Sequence, residues 1–496
     1  MPRRVTTEPT TPIAGTLPPG ALSNKLTWGM ACLTLYAMVA VGRIQEAITP
    51  LAVVHVGMIF GLLTLVAWLQ APGMLAHKIP TAVKPIKYVL VLVGLSVLTI
   101  PIGVWPAHSL EYLSSTYIKT VLLFLFIFTL CRSVQDIQRV MWGCGIGLTV
   151  LVINGVASGN LGRPVGIVDE AYEYASKTYD PNDFALVLAM MMPVLLYLLS
   201  MTRRMIARLA LIAMMLIGMY GIVLTQSRGG FISLLVIGVL ILRRSTLTHG
   251  QKMAIGAVAL IVFGVLAGSS FWERIRTIWD PQDEYDRQAG GRTELWKTGL
   301  KLMLTHPWGV GIDGFVYAEG LSHGGAGKWA AAHNTLIQVG VDLGIAGLIA
   351  FVLMMLFAFR SLRAMQQGLR PPAKTKQFAR QLRSAFSRPK VPLLGKQEGK
   401  PDDSAQLVML AASLEISLTG FAVGGFFLSQ AYGTLLYVMI ALTLVTVRLA
   451  GRLNVPEPIS VRRAAAAGGV QRAPVGRRVG RSLPAPSAVQ RVNEES

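Results

Sequence analysis

The sequence predicts an all-α integral membrane protein: about twelve transmembrane helices, with one large outer loop carrying an amphipathic helix. Three observations predict it. Of the 496 residues, 53% are hydrophobic and 14% charged, an apolar share above that of soluble domains and a charged share below it. Runs of about twenty apolar residues recur, the length a helix needs to cross the hydrocarbon core. The basic residues between those runs alternate from side to side as the positive-inside rule requires.

Residues 1–25 are polar and Pro/Thr-rich, lack the features of a cleavable signal, and read as a cytoplasmic tail. The transmembrane region spans 26–449, with helices expected over 26–42, 48–69, 87–105, 117–131, 140–157, 183–200, 206–225, 230–243, 253–270, 334–359, 405–428 and 432–449. The eighth is short, and its outer end reads as covered by protein. Residues 271–333 form the large loop on the outer side, and 360–404 a basic cytoplasmic loop. The tail 450–496, rich in Ala, Pro, Gly and Arg, has the composition of a disordered segment. With both termini cytoplasmic, the inner segments hold roughly three quarters of the 46 Lys and Arg residues. Even the short inner loops follow the pattern, with Arg203, Arg204 and Arg208, then Arg243, Arg244 and Lys252.

The net charge of +21 comes largely from 360–404 and the tail. Basic juxtamembrane segments orient a membrane protein and touch anionic headgroups, so this charge predicts membrane lipid as a partner and no nucleic acid. Cys32, Cys131 and Cys144 all fall inside apolar runs, which leaves no disulfide framework, no metal set and no expected cofactor.

The outer loop is longer than an ordinary connection, and its Trp and Tyr residues and helical periodicity predict order and function. Three basic positions stand where helices begin at the outer surface. Arg228 lies in Thr225-Gln226-Ser227-Arg228-Gly229-Gly230, a turn whose glycines permit unusual backbone angles and close approach. The free N–H groups and dipole of the next helix face the same spot. Arg292 precedes Thr293–Thr305, where Leu295, Trp296, Leu300, Met303 and Leu304 fall at the spacing of an amphipathic helix, with Thr293 as its cap and Pro307 after its end. His333 precedes Asn334, an N-cap for the tenth span. Histidine has the pKa for proton transfer near neutrality, and a neutral imidazole held between two arginines would stay available as a base. Each position also has a structural reading: a snorkelling Arg228, a salt bridge from Arg292 to one of the loop's carboxylates, a structural His333. Asp180-Pro181-Asn182-Asp183 reads as the cap and first turn of the sixth span. Taken together, the three positions suit a pyrophosphate beside a reacting hydroxyl, because arginine's fork binds phosphate oxygens and fixed positive groups stabilise a leaving anion. Arg163, in the outer loop before the sixth span, is a further phosphate contact candidate.

At Asp180-Pro181-Asn182, Ser227-Arg228-Gly229-Gly230, Gly291-Arg292 with Trp296, His306-Pro307 with Gly309 and Gly311, His333-Asn334 and Gly344-Ile345-Ala346-Gly347, the chain resembles the O-antigen ligase and polymerase superfamily of bacterial envelope glycan enzymes. The resemblance covers about residues 180–360. It implies a GT-C-like membrane glycosyltransferase of the bacterial inner membrane, with its active site facing the periplasm. Such an enzyme moves a glycan from undecaprenyl pyrophosphate to an acceptor hydroxyl on lipid A–core, on another repeat unit or on protein. By this similarity Arg228 and Arg292 hold the pyrophosphate and His333 activates or positions the acceptor hydroxyl for inverting attack, without a metal or nucleotide sugar. Arg163 and Asn334 would add substrate contacts. The long basic loop 360–404 departs from the family pattern, and the motifs do not separate ligase from polymerase.

A twelve-helix secondary transporter is the alternative from another class. It would carry its basic loop after the sixth span, internal repeats, and polar groups at mid-membrane. Here the loop follows the tenth span, and Asn154, Glu415 and Asp342 are the few mid-membrane candidates.

Overall fold

The computed structural model describes residues 27–48, 51, 53–70, 84–159, 161, 179–245, 247–266, 291–322, 324, 329–369 and 403–453. The first 26 residues, residues 267–290 with the first part of the large loop, the basic segment 370–402, the tail from 454 onward and Arg163 lie outside them. All described elements belong to one compact unit that ends at Leu453.

The described residues are helical throughout, with no strand among them. In chain order the helices are α1 Trp28–Gly42, α2 Ile44–Ala47, α3 Val56–Leu69, α4 Lys84–Leu98, α5 Pro106–Tyr112, α6 Ile118–Leu130, α7 Val134–Ala157, α8 Pro181–Met201 and α9 Met205–Leu224. They continue with α10 Arg228–Arg244, α11 His249–Leu266, α12 Arg292–Thr305, α13 Phe315–Ser322, α14 Thr335–Asp342, α15 Gly344–Gly368, α16 Asp403–Gly424 and α17 Thr434–Leu453. Among the described residues seven helices are long and apolar enough to cross a membrane: the run Pro106–Leu130, then α7, α8, α9, α15, α16 and α17. Trp28–Gly42, Val56–Leu69 and Pro85–Leu98 are apolar but shorter.

The centre of the body is α8, whose residues from Phe184 to Leu195 are all buried. A helix that is apolar all round has to be enclosed by others. Here α7, α9, α10 and α16 pack against it. Each end of α8 is set by local chemistry. The Asp180 side chain accepts from the N–H groups of Asn182 and Asp183, and Pro181 takes the first helical position, where its missing N–H costs nothing.

The structure revises the sequence reading at three places. The expected span 117–131 begins earlier, because Leu113–Tyr117 forms a π turn that joins α5 to α6 in one continuous run. The expected span 334–359 is broken: α14 stops at Asp342 and α15 starts at Gly344, whose φ is +73. In the turn before α10 the left-handed residue is Gln226, with φ +50, not a glycine. Gly229 and Gly230 lie within α10, and Gly230 serves close packing, since a Cβ there would sit 2.2 Å from the Cβ of Ala185 on α8.

The end of the bundle away from the α8 N-terminus is tied by a buried carboxylate. Glu415 on α16 accepts from Arg244 (2.7 Å) at the end of α10 and from Arg363 (2.8 Å) and Gln366 (2.9 Å) on α15. This cluster accounts for one of the three mid-membrane polar candidates: it clamps three helices together.

Candidate active site

Five stretches meet around a cavity of about 360 Å³. Arg43 enters from the end of α1, Tyr112 and Thr116 from the π-turn region, and Tyr179, Asp180 and Asp183 from the start of α8. Asp313 to Val316 and Ala331 to His333 come from the large loop, and Ser429 to Thr434 from the connection before α17. A π turn is the kind of helical irregularity often found at functional sites, and this one carries Thr116, with Tyr112 immediately before it.

His333 is half-buried and lines the cavity. Its backbone is left-handed, with φ +46, a conformation that a non-glycine residue holds only when its surroundings enforce it. The enforcement is visible on both sides. The Trp296 indole N–H on α12 donates to the carbonyl of Ala332 (3.1 Å), immediately before His333. Immediately after it, the Asn334 side chain accepts from the N–H groups of Leu336 and Ile337 and caps α14. Burial first, then the positive charge of Arg292, hold the imidazole below its ordinary pKa, while Asp180 pulls in the opposite direction. His333 therefore tends toward the neutral form, as the sequence led one to expect, but through burial and Arg292 alone.

Arg292 is the first residue of α12, half-buried, with Gly291 as N-cap and no side-chain cap hydrogen bond. The expected cap, Thr293, lies inside the first turn. That helix N-terminus thus keeps its donors and dipole beside the Arg292 charge. Arg228 opens α10 and is half-buried. Its neighbour ties the start of α10 to the start of α8: the Ser227 hydroxyl accepts from the N–H of Gly230 (3.0 Å) and donates to the Asn182 side chain (2.7 Å) on α8. Two motifs separated by 45 residues in sequence are therefore hydrogen-bonded. Arg228 and Arg292 stand outside the set of residues that line the cavity.

The connection between α16 and α17 is pinned to α14. The N–H of Thr335 donates to the carbonyl of Gly425 (2.7 Å) and its hydroxyl to that of Leu428 (2.7 Å), while the Gln338 side chain accepts from the N–H of Ala431 (3.2 Å). Phe426 meets the Trp296 ring edge-on at 5.3 Å. One helix, α12, thus touches both the peptide before His333 and this connection.

The motif His306-Pro307-Trp308-Gly309-Val310-Gly311 is scaffold. His306 is exposed. Pro307 accepts from the N–H of Ile345, Val310 donates to Val341, and Gly311 donates to Asp342. The motif threads through the break between α14 and α15, where a Cβ on Gly309 would sit 2.5 Å from the Asp342 carbonyl oxygen. The fully buried Asp342 carboxylate completes this junction by accepting from the N–H groups of Asp313 (3.2 Å) and Phe315 (2.9 Å) and from the Tyr432 hydroxyl (3.1 Å). It serves the loop, not a mid-membrane ion path.

Sequence reasoning missed Arg43, Tyr112, Asp313, Gln430 and Tyr432 as cavity residues and assigned Asp180 and Asp183 a capping role only. Asp180 does both: it caps α8 and faces the cavity. Asn334 is buried, with its side-chain oxygen committed to the α14 cap. Arg163 lies outside the described residues. Among those residues no cluster of three or more His, Cys, Asp or Glu side chains could hold a metal ion.

Residues 212–352 match the family model described as O-Antigen ligase (Wzy_C). The match supports the resemblance to the O-antigen ligase and polymerase superfamily and includes Arg228, Arg292 and His333. Arg43, Asp180 and the Ser429–Thr434 wall, which complete the cavity, lie outside it. No curated protein matches the chain.

Proposed function

We propose, from the O-antigen ligase match across the residues that carry the site, that this multi-pass membrane protein is a ligase-type glycosyltransferase. It would move a glycan from undecaprenyl pyrophosphate to an acceptor hydroxyl, on lipid A–core or a similar acceptor, at the periplasmic face of the bacterial inner membrane. The observation that carries the reading is His333: an imidazole shifted toward its neutral form by burial and by Arg292, held in a left-handed turn at the wall of a cavity.

In this reading His333 takes the proton of the acceptor hydroxyl as its oxygen bonds to the anomeric carbon with inversion. The bond from that carbon to the phosphate oxygen breaks, and undecaprenyl pyrophosphate leaves with the electron pair. Arg228 and Arg292, each beside a helix N-terminus, bind the pyrophosphate and stabilise the charge it gains in the transition state. Arg163 adds a phosphate contact, and Asn334 acts by holding His333 in place. Asp180 would partly balance the arginine charge before substrate binds.

The test is transfer by purified protein from undecaprenyl-pyrophosphate-linked glycan to two separate acceptors, lipid A–core and a second lipid-linked glycan. Product on lipid A–core that is lost in His333→Ala, in protein that still inserts and runs as a monodisperse species, establishes the ligase. A ladder of longer lipid-linked glycans makes it the polymerase instead. Normal transfer in His333→Ala, Arg228→Lys and Arg292→Lys together overturns the site.

A further inference from the structure

Beside the cavity stands a group of side chains that the transfer mechanism does not use. Asp313 lines the cavity, and its carboxylate meets the Nε2 of His108 at 3.1 Å. The other ring nitrogen of His108 meets the Tyr317 hydroxyl at 3.2 Å. Trp105 stands edge-on to the Tyr317 ring at 4.5 Å, and Trp329 does the same at 6.1 Å. Both indoles keep large free faces, with Trp105 49% and Trp329 44% exposed.

This composition has a chemical reading. A pyranose ring presents a face of C–H groups and a rim of hydroxyls. Exposed indole faces supply the apolar plates for the first, and a carboxylate, an imidazole and a phenol supply acceptors and donors for the second. A tryptophan that only anchors a helix at a membrane surface needs an apolar body and a wet tip. Here the two indoles are braced on one tyrosine, and that tyrosine's hydroxyl is committed to the Asp313–His108 pair, so the plates are held in place before any ligand arrives. The backbone bears a cost at two of these positions as well: Asp313 has φ +57 and Trp329 φ +51. Asp313 belongs both to this group and to the chamber of His333, so a sugar seated on the indoles adjoins the reacting chamber.

We propose that Trp105, Trp329 and the Asp313–His108–Tyr317 chain form a glycan-binding subsite that takes a pyranose ring of one of the two glycan substrates. The proposal rests on the transfer reading above, which names glycans as substrates, and not on which residue performs the chemistry.

The test is calorimetric titration of the full-length protein with two lipid-free oligosaccharides, both released by mild acid from the cells that make it. One comes from the lipid-linked donor pool and the other from the glycolipid acceptor. Binding of either supports the subsite, and the arm that binds identifies the source. Trp105→Ala and Trp329→Ala should each bind at least tenfold more weakly than wild type. Trp105→Phe, which keeps a smaller plate and covers the case of a poorly folded alanine variant, should fall between. Binding by neither oligosaccharide, or indole variants within twofold of wild type, overturns the proposal. The transfer assay separates the two readings. If His333→Ala transfers normally but indole-dependent binding holds, the catalytic assignment falls and the subsite stands.

Discussion

Replacing Trp296 by Phe isolates the contact through which α12 positions His333. The substitution keeps an aromatic ring against Phe426, 5.3 Å away, and removes one hydrogen bond, the 3.1 Å donation to the carbonyl of Ala332. A neutral hydrogen bond of this kind contributes about 1 kcal/mol net. If all of it serves to hold the His333 turn, the barrier rises by about that amount, and kcat falls about fivefold. Trp296 does not line the cavity, so the donor KM should stay within twofold. A looser His333 is also less shielded and less tightly placed beside Arg292, so the acid limb of its pH–rate profile moves up toward 6.5, the ordinary imidazole value. The assay is single-turnover transfer across a pH series, with thermal unfolding in detergent as a check that the fold is kept. A kcat within twofold of wild type together with an unmoved acid limb would refute the argument that α12 sets the catalytic geometry.

Three further outcomes follow from the same geometry. Arg292→Gln removes a charge that lowers the His333 pKa, so the acid limb of any residual activity should rise; the sign also fixes the stability effect, because a His with a depressed folded pKa loses stability as pH falls from 6.5 toward that pKa, and the variant should lose less of it in pH-dependent melts. Asp342→Asn replaces an oxygen that accepts backbone N–H groups with an amide donor, which should cost about 2–3 kcal/mol and lower the unfolding midpoint; an unchanged midpoint would mean the carboxylate does not hold the 313–315 turn. Glu415→Gln leaves Arg244 and Arg363 without their shared carboxylate; since Arg363 is largely exposed, solvent offsets part of the loss, and the expected cost is about 1–3 kcal/mol, seen as a lower melting temperature with transfer per folded molecule unchanged at low temperature.

Much of the helical architecture was legible because apolar length is a one-dimensional property. Runs such as 183–200 and 206–225 fall inside α8 and α9 to within two residues. The caps at Asp180 and Asn334 were legible for a similar reason, since a cap is a local interaction of one side chain with the next turn. The break at Gly344 was not, because the glycine sits in an apolar run and its left-handed φ answers to Pro307 and Trp308, more than 35 residues before it in sequence. The cavity shows the same limit from the other side. His333 and Arg292 announced themselves by their place at helix starts. Arg43 and Tyr432 reach the site only through packing between chain segments hundreds of residues apart, and no local pattern marks them. Asp313 was hidden inside a loop whose motif turns out to serve the scaffold.

The distribution of backbone cost argues independently that the cavity is a working site. Among the described residues six non-glycine positions have left-handed φ, and three of them, Arg43, Asp313 and His333, line this one cavity. A left-handed turn costs a non-glycine residue on the order of 1 kcal/mol, and glycine at these positions would relieve it. Each of the three instead carries an ionisable side chain whose chemistry glycine would discard. The buried polar groups elsewhere follow a different logic: Glu415 and Asp342 meet several donors apiece and clamp helices or turns. A transporter would need uncommitted groups of that kind within its helices. Among the described residues the ionisable groups that line the cavity, Arg43, Asp180, Asp183, Asp313 and His333, gather instead at the end of the bundle where α8 begins.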